Sequence, residues 1–125
     1  MEIYITAEKQ EFVSQRKAMG HDLKKLSFYD GNELCTVIYA DFTDKILKAE
    51  NYTNDIITTA FGNNKRPVWE DFMNFLEERC IPKERDGIRE YLDAIGVAEY
   101  EPMEIIKKTK GKMAEDNQWI ETEKI

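Results

Sequence analysis

Several kinds of residue are scarce in this chain of 125 residues, and each scarcity excludes a class of protein. His21 is the only histidine, so a Ser-His-Asp triad would have to be built around that one residue. Cys35 and Cys80 are the only cysteines, and their wide separation forms neither a zinc motif nor a disulfide scaffold. No glycine-rich phosphate loop and no Asp-x-Asp calcium loop is present. We therefore predict no catalytic residue, no metal site and no cofactor.

Targeting and membrane signals are also missing. Residues 1–5 do not place a basic region before a long apolar stretch, so we expect no signal peptide. No apolar run approaches the length that spans a membrane. Two cysteines with apolar neighbours suit reduced, buried thiols, and together these features predict a cytoplasmic protein.

The balance of charge is acidic, with 25 Asp and Glu residues against 18 Lys and Arg, and a formal net charge of −7. Phosphate backbones and anionic lipids repel such a surface, so we expect no direct binding to nucleic acid or membranes. The same charge permits binding to a basic partner, including a protein whose nucleic-acid groove it would block. Ordinary solubility also explains a net charge of this size.

The length favours a single domain, residues 1–125, with strands before helices. Residues 3–6 are β-prone, and residues 7–24 predict either a short helix ending at Gly20 or a mobile arm, so that 1–24 could be such an arm. Residues 25–52 predict a β-meander with strands at 26–29, 34–40 and 45–51, because β-branched and aromatic runs alternate with turn residues.

Helical spacing dominates residues 53–112. Thr53 is a possible N-cap for a first helix through Phe61, and Pro67, Pro82 and Pro102 stand near the starts of later ones. Residues 113–125 predict a tail with a short extended segment and a frayed end. The predicted fold class is α+β, an N-terminal antiparallel β-meander of about three to four strands packed against a C-terminal bundle of three to four short helices.

A basic set surrounds the predicted turn at Pro82. Arginine forks bind carboxylate or phosphate in bidentate fashion, so this set is a candidate surface for a partner. The alternative is internal pairing with the acidic residues that alternate with it along the chain. The set comprises Arg79, Lys83, Arg85 and Arg89.

A second candidate surface is the polar run Glu115, Asp116 and Asn117, directly before Trp119. Carboxylates from such a run would bind Mg²⁺ or Mn²⁺ if a second acidic pair converged on them. Neighbouring carboxylates on a helix point in different directions, so a solvated face is the competing interpretation.

Part of the chain also carries a resemblance to a known family. The matching residues are Arg79, Cys80, Pro82, Arg85, Leu92, Gly96 and the run 114–120. Over residues 50–120 they resemble a family of small uncharacterised proteins of Firmicutes and their mobile elements. The Arg-x-x-Pro-x-x-Arg pattern also resembles a segment found near HipA-like kinases. The resemblance implies a bacterial cytoplasmic setting and no particular chemistry.

The absence of a catalytic pattern favours a non-catalytic protein-binding module, with an unidentified protein as its partner. An acidic nucleic-acid mimic that inhibits a nuclease or defence protein is the alternative. A small enzyme dependent on a divalent metal, using Glu115 and Asp116, is the second alternative. The sequence does not predict the oligomeric state.

Overall fold

The computed structural model of this protein describes residues 7–125, and the side chains of residues 9–125. Within that part of the chain, one helix precedes a three-stranded meander, three helices follow, and a final strand returns to the sheet. The elements are α1 (Ala7–Ala18), β1 (Leu23–Asp30), β2 (Glu33–Asp41), β3 (Ile46–Asn51), α2 (Trp69–Glu78), α3 (Ile88–Ile95), α4 (Pro102–Thr109) and β4 (Gln118–Lys124). The strand predicted at residues 3–6 lies outside the described residues.

The sheet has the order β3-β2-β1-β4, and all its pairings are antiparallel. The C-terminal strand therefore lies beside the first strand of the meander, with Phe28 opposite Ile120. Successive residues of a strand point to opposite faces, so Leu26, Phe28 and Ile120 share one face. That face packs against α2 and α4 and forms the main core, in which Phe72 is fully buried.

The opposite face of the sheet is covered by α1 alone among the described elements. Phe12 packs with Val37 and Tyr39 in a small second cluster, which Val13 borders. Only one stripe of α1 is apolar, because most of its sequence is polar or charged. Part of this sheet face therefore lies beside α1 rather than beneath it.

The ends of the C-terminal helices follow standard local chemistry. The carboxylate of Asp71 accepts a hydrogen bond from the Val68 backbone N–H at 2.9 Å, which satisfies an otherwise free donor at the start of α2. Pro102 occupies the first turn of α4, where its missing N–H costs little. Gly96 ends α3 in the left-handed conformation, with φ of 78°, as its position after the apolar stripe predicts.

The helix predicted from Thr53 to Phe61 was wrong, because this segment forms consecutive turns. The Thr53 hydroxyl accepts from the Asp55 N–H at 3.2 Å, and the Asp55 carboxylate accepts from the Ile57 N–H at 3.0 Å. Such short side-chain bonds offer the backbone an alternative to helix. Ile56 and Ile57 are 50% and 85% exposed, so only Ala60 and Phe61 of this apolar spacing pack against the core.

The prediction of a frayed C-terminal end was also wrong. Residues 118–124 are paired along their whole length with β1. The Ile125 N–H continues the ladder by donating to the Leu23 carbonyl at 3.2 Å. At the other end, residues 7–18 form a helix, which settles the choice between a helix and a mobile arm for that stretch.

The predicted α+β class is confirmed, since a meander followed by helices is what residues 23–109 form. Among the described residues, no helix combines the length and apolar character needed to cross a membrane.

Candidate functional site

The basic set around Pro82 does not form one surface. Arg79 is buried, and its Nε donates to the Gly111 carbonyl at 2.9 Å. Its Nη1 and Nη2 hold the two carboxylate oxygens of Asp116 at 2.8 and 3.0 Å, and Nη2 also donates to the Gln118 carbonyl at 3.0 Å. The guanidinium N–H groups therefore all donate to acceptors within the protein. Arg79 fastens the end of α2 to the segment that leads into β4.

Arg89 is exposed but also engaged within the chain. Its guanidinium donates to the Asp93 carboxylate at 2.8 Å and to the carbonyls of Val97 and Ala98 at 3.1 and 2.8 Å. These carbonyls follow the end of α3, where a cation also opposes the negative end of the helix dipole. Internal pairing, the alternative weighed for the basic set, thus describes both Arg79 and Arg89.

Lys83 and Arg85 are the members of the set that face solvent. Both are exposed, and neither forms an ion pair with any described residue. They lie in the turn between α2 and α3, where the Arg85 N–H donates to the Pro82 carbonyl at 3.2 Å. They remain available to a partner.

In the polar run 115–117 as well, some residues are bonded within the chain and another is exposed. Asp116 is held by Arg79, whose hydrogen bonds are the largest influence on its carboxyl and keep its pKa below the usual value. The Asn117 carbonyl accepts from the Gly31 N–H at 3.0 Å, which ties the run to the β1–β2 turn. The Glu115 side chain is exposed. The Asp116 carboxylate is thus already bonded to a cation.

Two features outside the predicted set bring chemically useful groups together. The first is a groove on the α1 face of the sheet, of about 550 Å³. We call it the tyrosine groove. It is lined by Gln10, Val13, Lys25, Ser27, Tyr29, Leu34, Val37, Tyr39, Tyr52, Glu123 and Ile125.

Contacts with neighbouring residues hold the aromatic side chains of the tyrosine groove. Tyr29 stacks on Trp119 with ring centroids 4.5 Å apart and planes 10° from parallel, and the Trp119 indole N–H donates to the Gly31 carbonyl at 2.8 Å. Burial raises the pKa of Tyr39 to about 12, with nearby Tyr52 and Glu50 adding to the effect, so its hydroxyl stays protonated. The groove therefore presents aromatic surface together with the protonated hydroxyl of Tyr39.

The second feature is a cluster around Asp41 at the end of β2, which we call the Asp41 cluster. Asp41 is fully buried, and one carboxylate oxygen accepts from the backbone N–H groups of Thr43 and Asp44 at 2.9 and 3.1 Å. The other oxygen accepts from Arg16 at 2.9 Å and from the His21 Nδ1 at 2.7 Å. Every strong acceptor direction of this carboxylate is used.

Burial alone would raise the pKa of Asp41, but the hydrogen bonds from His21, Arg16 and the two turn amides outweigh it. They hold the pKa at about 2, so the carboxylate is ionised at neutral pH. The His21 side chain is only 16% exposed, so the fold largely encloses it.

The residues His21, Asp41 and Asp44 are spaced closely enough to bind a metal ion, with ligand atoms within 4.8 Å of one another. However, Arg16 Nη1 lies 2.9 Å from the Asp41 carboxylate and 2.6 Å from that of Asp44. The guanidinium already supplies the positive charge that a metal ion would bring. In the region that the structure describes, no other such group of histidine, cysteine and carboxylate side chains occurs. The geometry thus favours an internal ion-pair network over a metal centre.

Comparisons with protein-family models, with curated proteins and with solved structures found no match for this chain. The resemblance drawn from residues 50–120 therefore stays a prediction, and the site is interpreted from its own geometry.

Sequence analysis missed both features because each is assembled across long separations. Nothing in the local sequence around Asp41 places Arg16 or His21 beside it. The alternation of Lys25, Ser27 and Tyr29 with the buried residues of β1 was the one available signal that a second sheet face existed. It did not reveal how little of that face α1 covers.

Proposed function

We propose that this protein is a non-catalytic binding module that holds an extended apolar segment of a partner protein in the tyrosine groove. The observation that carries the proposal is that an aromatic groove of about 550 Å³ lies open beside α1 among the described residues. The volume lies within the range of roughly 300–1,000 Å³ that is usual for binding pockets.

The lining suits a peptide more than a small polar ligand. Tyrosines provide large contact areas and lose little conformational entropy on binding, and their hydroxyl groups pair with main-chain groups of a peptide. Tyr29, Tyr39 and Tyr52 come from three different parts of the sheet region, so they line the groove along its length rather than at one point. A partner segment with aromatic or branched aliphatic side chains would bury apolar area against Val13, Leu34 and the tyrosines.

Charge at one end of the groove gives a bound segment a direction. Lys25 and Glu123 face each other across β1 and β4, and both line the groove. The ammonium and carboxylate groups would pair with opposite charges on a partner, which contributes more to orientation than to affinity.

The exposed cations of the Pro82 turn offer a competing location for the partner. Lys83 and Arg85 retain the role predicted for the whole basic set, whereas Arg79 and Arg89 are engaged within the chain. The two locations are separable by mutation, since the groove and this turn share no residue.

The test is selection of peptides from a displayed random library by the purified protein. We expect the selected sequences to share aromatic or aliphatic side chains, and their binding to be lost in Ser27→Arg, which fills the floor of the groove. The matched control is the double charge reversal Lys83→Glu and Arg85→Glu, which should leave binding unchanged.

Three results would contradict the proposal that the tyrosine groove binds the partner. They are failure to select any sequence, equal binding by Ser27→Arg, and loss of binding on charge reversal at the Pro82 turn alone. Repeating the measurement with a chain that begins at Ala7 establishes whether residues 1–6 compete for the groove. Tighter binding by the shortened chain supports the groove as the location.

We also propose a cytoplasmic, bacterial setting. Its support is the pair of free, buried cysteines, Cys35 and Cys80, together with the resemblance over residues 50–120.

A further inference from the structure

A second pocket lies at the end of the sheet where Lys24 and Lys124 pair, beside the Asp41 cluster, and has a volume of about 620 Å³. We call it the His21 pocket. It is lined by Gly20, His21, Asp22, Lys24, Thr43, Lys107, Thr122, Glu123 and Lys124. It gathers the only histidine of the chain and three lysines around one space, in a protein whose net charge is −7.

His21 is held in a defined orientation at this pocket. Its Nδ1 lies 2.7 Å from the buried Asp41 carboxylate, which accepts a hydrogen bond from that nitrogen. A neutral ring that donates from Nδ1 leaves Nε2 as an acceptor, and a protonated ring donates from Nε2 as well. Because Asp41 is itself fixed by Arg16 and two backbone amides, the imidazole is positioned before any ligand arrives.

Two lysines of the pocket lie directly opposite each other on neighbouring strands. Lys24 and Lys124 are direct partners in the β1–β4 register, so their side chains leave the same face of the sheet. Like charges in this arrangement destabilise a sheet. Lys24 relieves part of the repulsion by bonding both oxygens of Asp22 at 2.9 Å, but Lys124 forms no ion pair with any residue the structure describes.

The remaining groups favour an anion as well. Lys107 enters from α4 and pairs only with the exposed Glu104, at 3.1 Å. The Thr43 hydroxyl accepts from the Asp22 N–H at 2.9 Å, which leaves its own hydrogen free to donate. Glu123 borders the pocket but lies opposite Lys25 in the register, on the other face of the sheet from Lys24 and Lys124.

We infer that the His21 pocket binds the phosphate group of a small molecule. A phosphate dianion accepts several charge-assisted hydrogen bonds at once, which matches the donors that Lys124, Lys107 and Thr43 place around the pocket beside His21. It also neutralises the like-charged pair across β1 and β4. The two cavities share only Glu123 among their lining residues, so this inference does not depend on the tyrosine groove.

The single histidine makes the test direct, because the ring signals of His21 in a proton–carbon correlation spectrum need no assignment. The probes are inorganic phosphate and pyrophosphate, with acetate and chloride as comparison anions at the same pH and ionic strength. We expect the phosphate probes to shift the His21 signals along a saturating curve that neither comparison anion reproduces.

Lys124→Gln should weaken phosphate binding about tenfold, the loss expected for one charge-assisted hydrogen bond. Lys83→Gln, an exposed lysine in the Pro82 turn, is the matched control and should bind as the wild type does. Lys124→Gln should also be at least as stable as the wild type without phosphate, because it removes a like-charge contact. If Lys124 only stabilised the fold, Lys124→Gln would instead be less stable than the wild type without phosphate.

The inference is overturned if the His21 signals follow ionic strength alone, or if acetate shifts them to the same extent. It is equally overturned if Lys124→Gln and Lys107→Gln both keep the wild-type affinity. Two variants on different elements, β4 and α4, keep the test decisive if one of them fails to fold.

Discussion

Replacement of Arg79 by methionine should be among the most damaging single changes in this protein. Methionine keeps a long apolar stem but removes the guanidinium, which leaves the carbonyls of Gly111 and Gln118 without their donor and Asp116 without its cation. The Arg79 side chain is 8% exposed, so water replaces these bonds poorly.

The magnitude follows from the partners that are lost. Removing one partner from a buried, hydrogen-bonded charge network costs about 3–5 kcal/mol. Asp116 is 35% exposed at its side chain and recovers some hydration, which places the expected loss toward the lower end of that range. Since a domain of this size has a total stability of roughly 5–15 kcal/mol, the variant should remain folded only marginally.

Urea unfolding followed by circular dichroism and tryptophan fluorescence measures this loss. With a slope of about 1–3 kcal/mol per molar urea, the midpoint should fall by about 2 M. Arg85→Met is the matched control, because Arg85 is exposed in the adjacent turn, and it should change stability by about 0.5 kcal/mol or less.

A double-mutant cycle isolates the ion pair from the bonds to backbone carbonyls. Asp116→Asn leaves the bonds from Arg79 to Gly111 and Gln118 in place, so alone it should cost less than Arg79→Met. The coupling between the two positions should be about 1–2 kcal/mol. A loss below about 1 kcal/mol for Arg79→Met, or equal losses for Arg79→Met and Arg85→Met, would refute the assignment of Arg79 as a structural clamp.

Two further predictions concern stability. The carboxyl pKa of Asp41 is lowered from 3.8 to about 2 on folding, so its ionised form stabilises the protein above about pH 4. Wild type should lose its stability advantage over Asp41→Asn as pH falls from about 4 to about 2, as measured by urea unfolding at each pH, and a constant difference would contradict the prediction. Gly111→Ala places a Cβ 3.2 Å from Ile120 Cδ1 at a φ of +63°, whereas Gly20→Ala at +76° meets nothing within 4 Å. Both should be destabilised by about 1 kcal/mol from backbone strain, with an added loss for Gly111→Ala that thermal unfolding would detect.

The fold was predictable where local chemistry and packing agree. The second and third strands of the meander lie close to the predicted spans, because β-branched and aromatic runs there also meet a core. The starts of α2 and α4 follow Pro67 and Pro102 for the same reason. The segment after Thr53 carried helical spacing as well, but its short polar side chains formed turns, and Ile56 and Ile57 stayed exposed while only Ala60 and Phe61 reached the core.

The candidate sites were much less predictable, since a charge pattern does not say which residues will meet. Arg79, Lys83, Arg85 and Arg89 look alike along the chain, yet two are engaged within the fold and two face solvent. Asp41 and Arg16 are 25 positions apart, and only the packing of α1 onto the sheet joins them.

The sequence by itself determined the α+β class, the position of the β1–β3 meander before helices α2–α4 and the acidic net charge of −7, because these depend on composition and short-range periodicity. The tertiary structure alone decided the return of β4 to the side of β1, the burial of Arg79 and the placing of His21 beside Asp41. Each of these depends on contacts between distant segments, whose free energy is gained only when the whole sheet and its helices pack together.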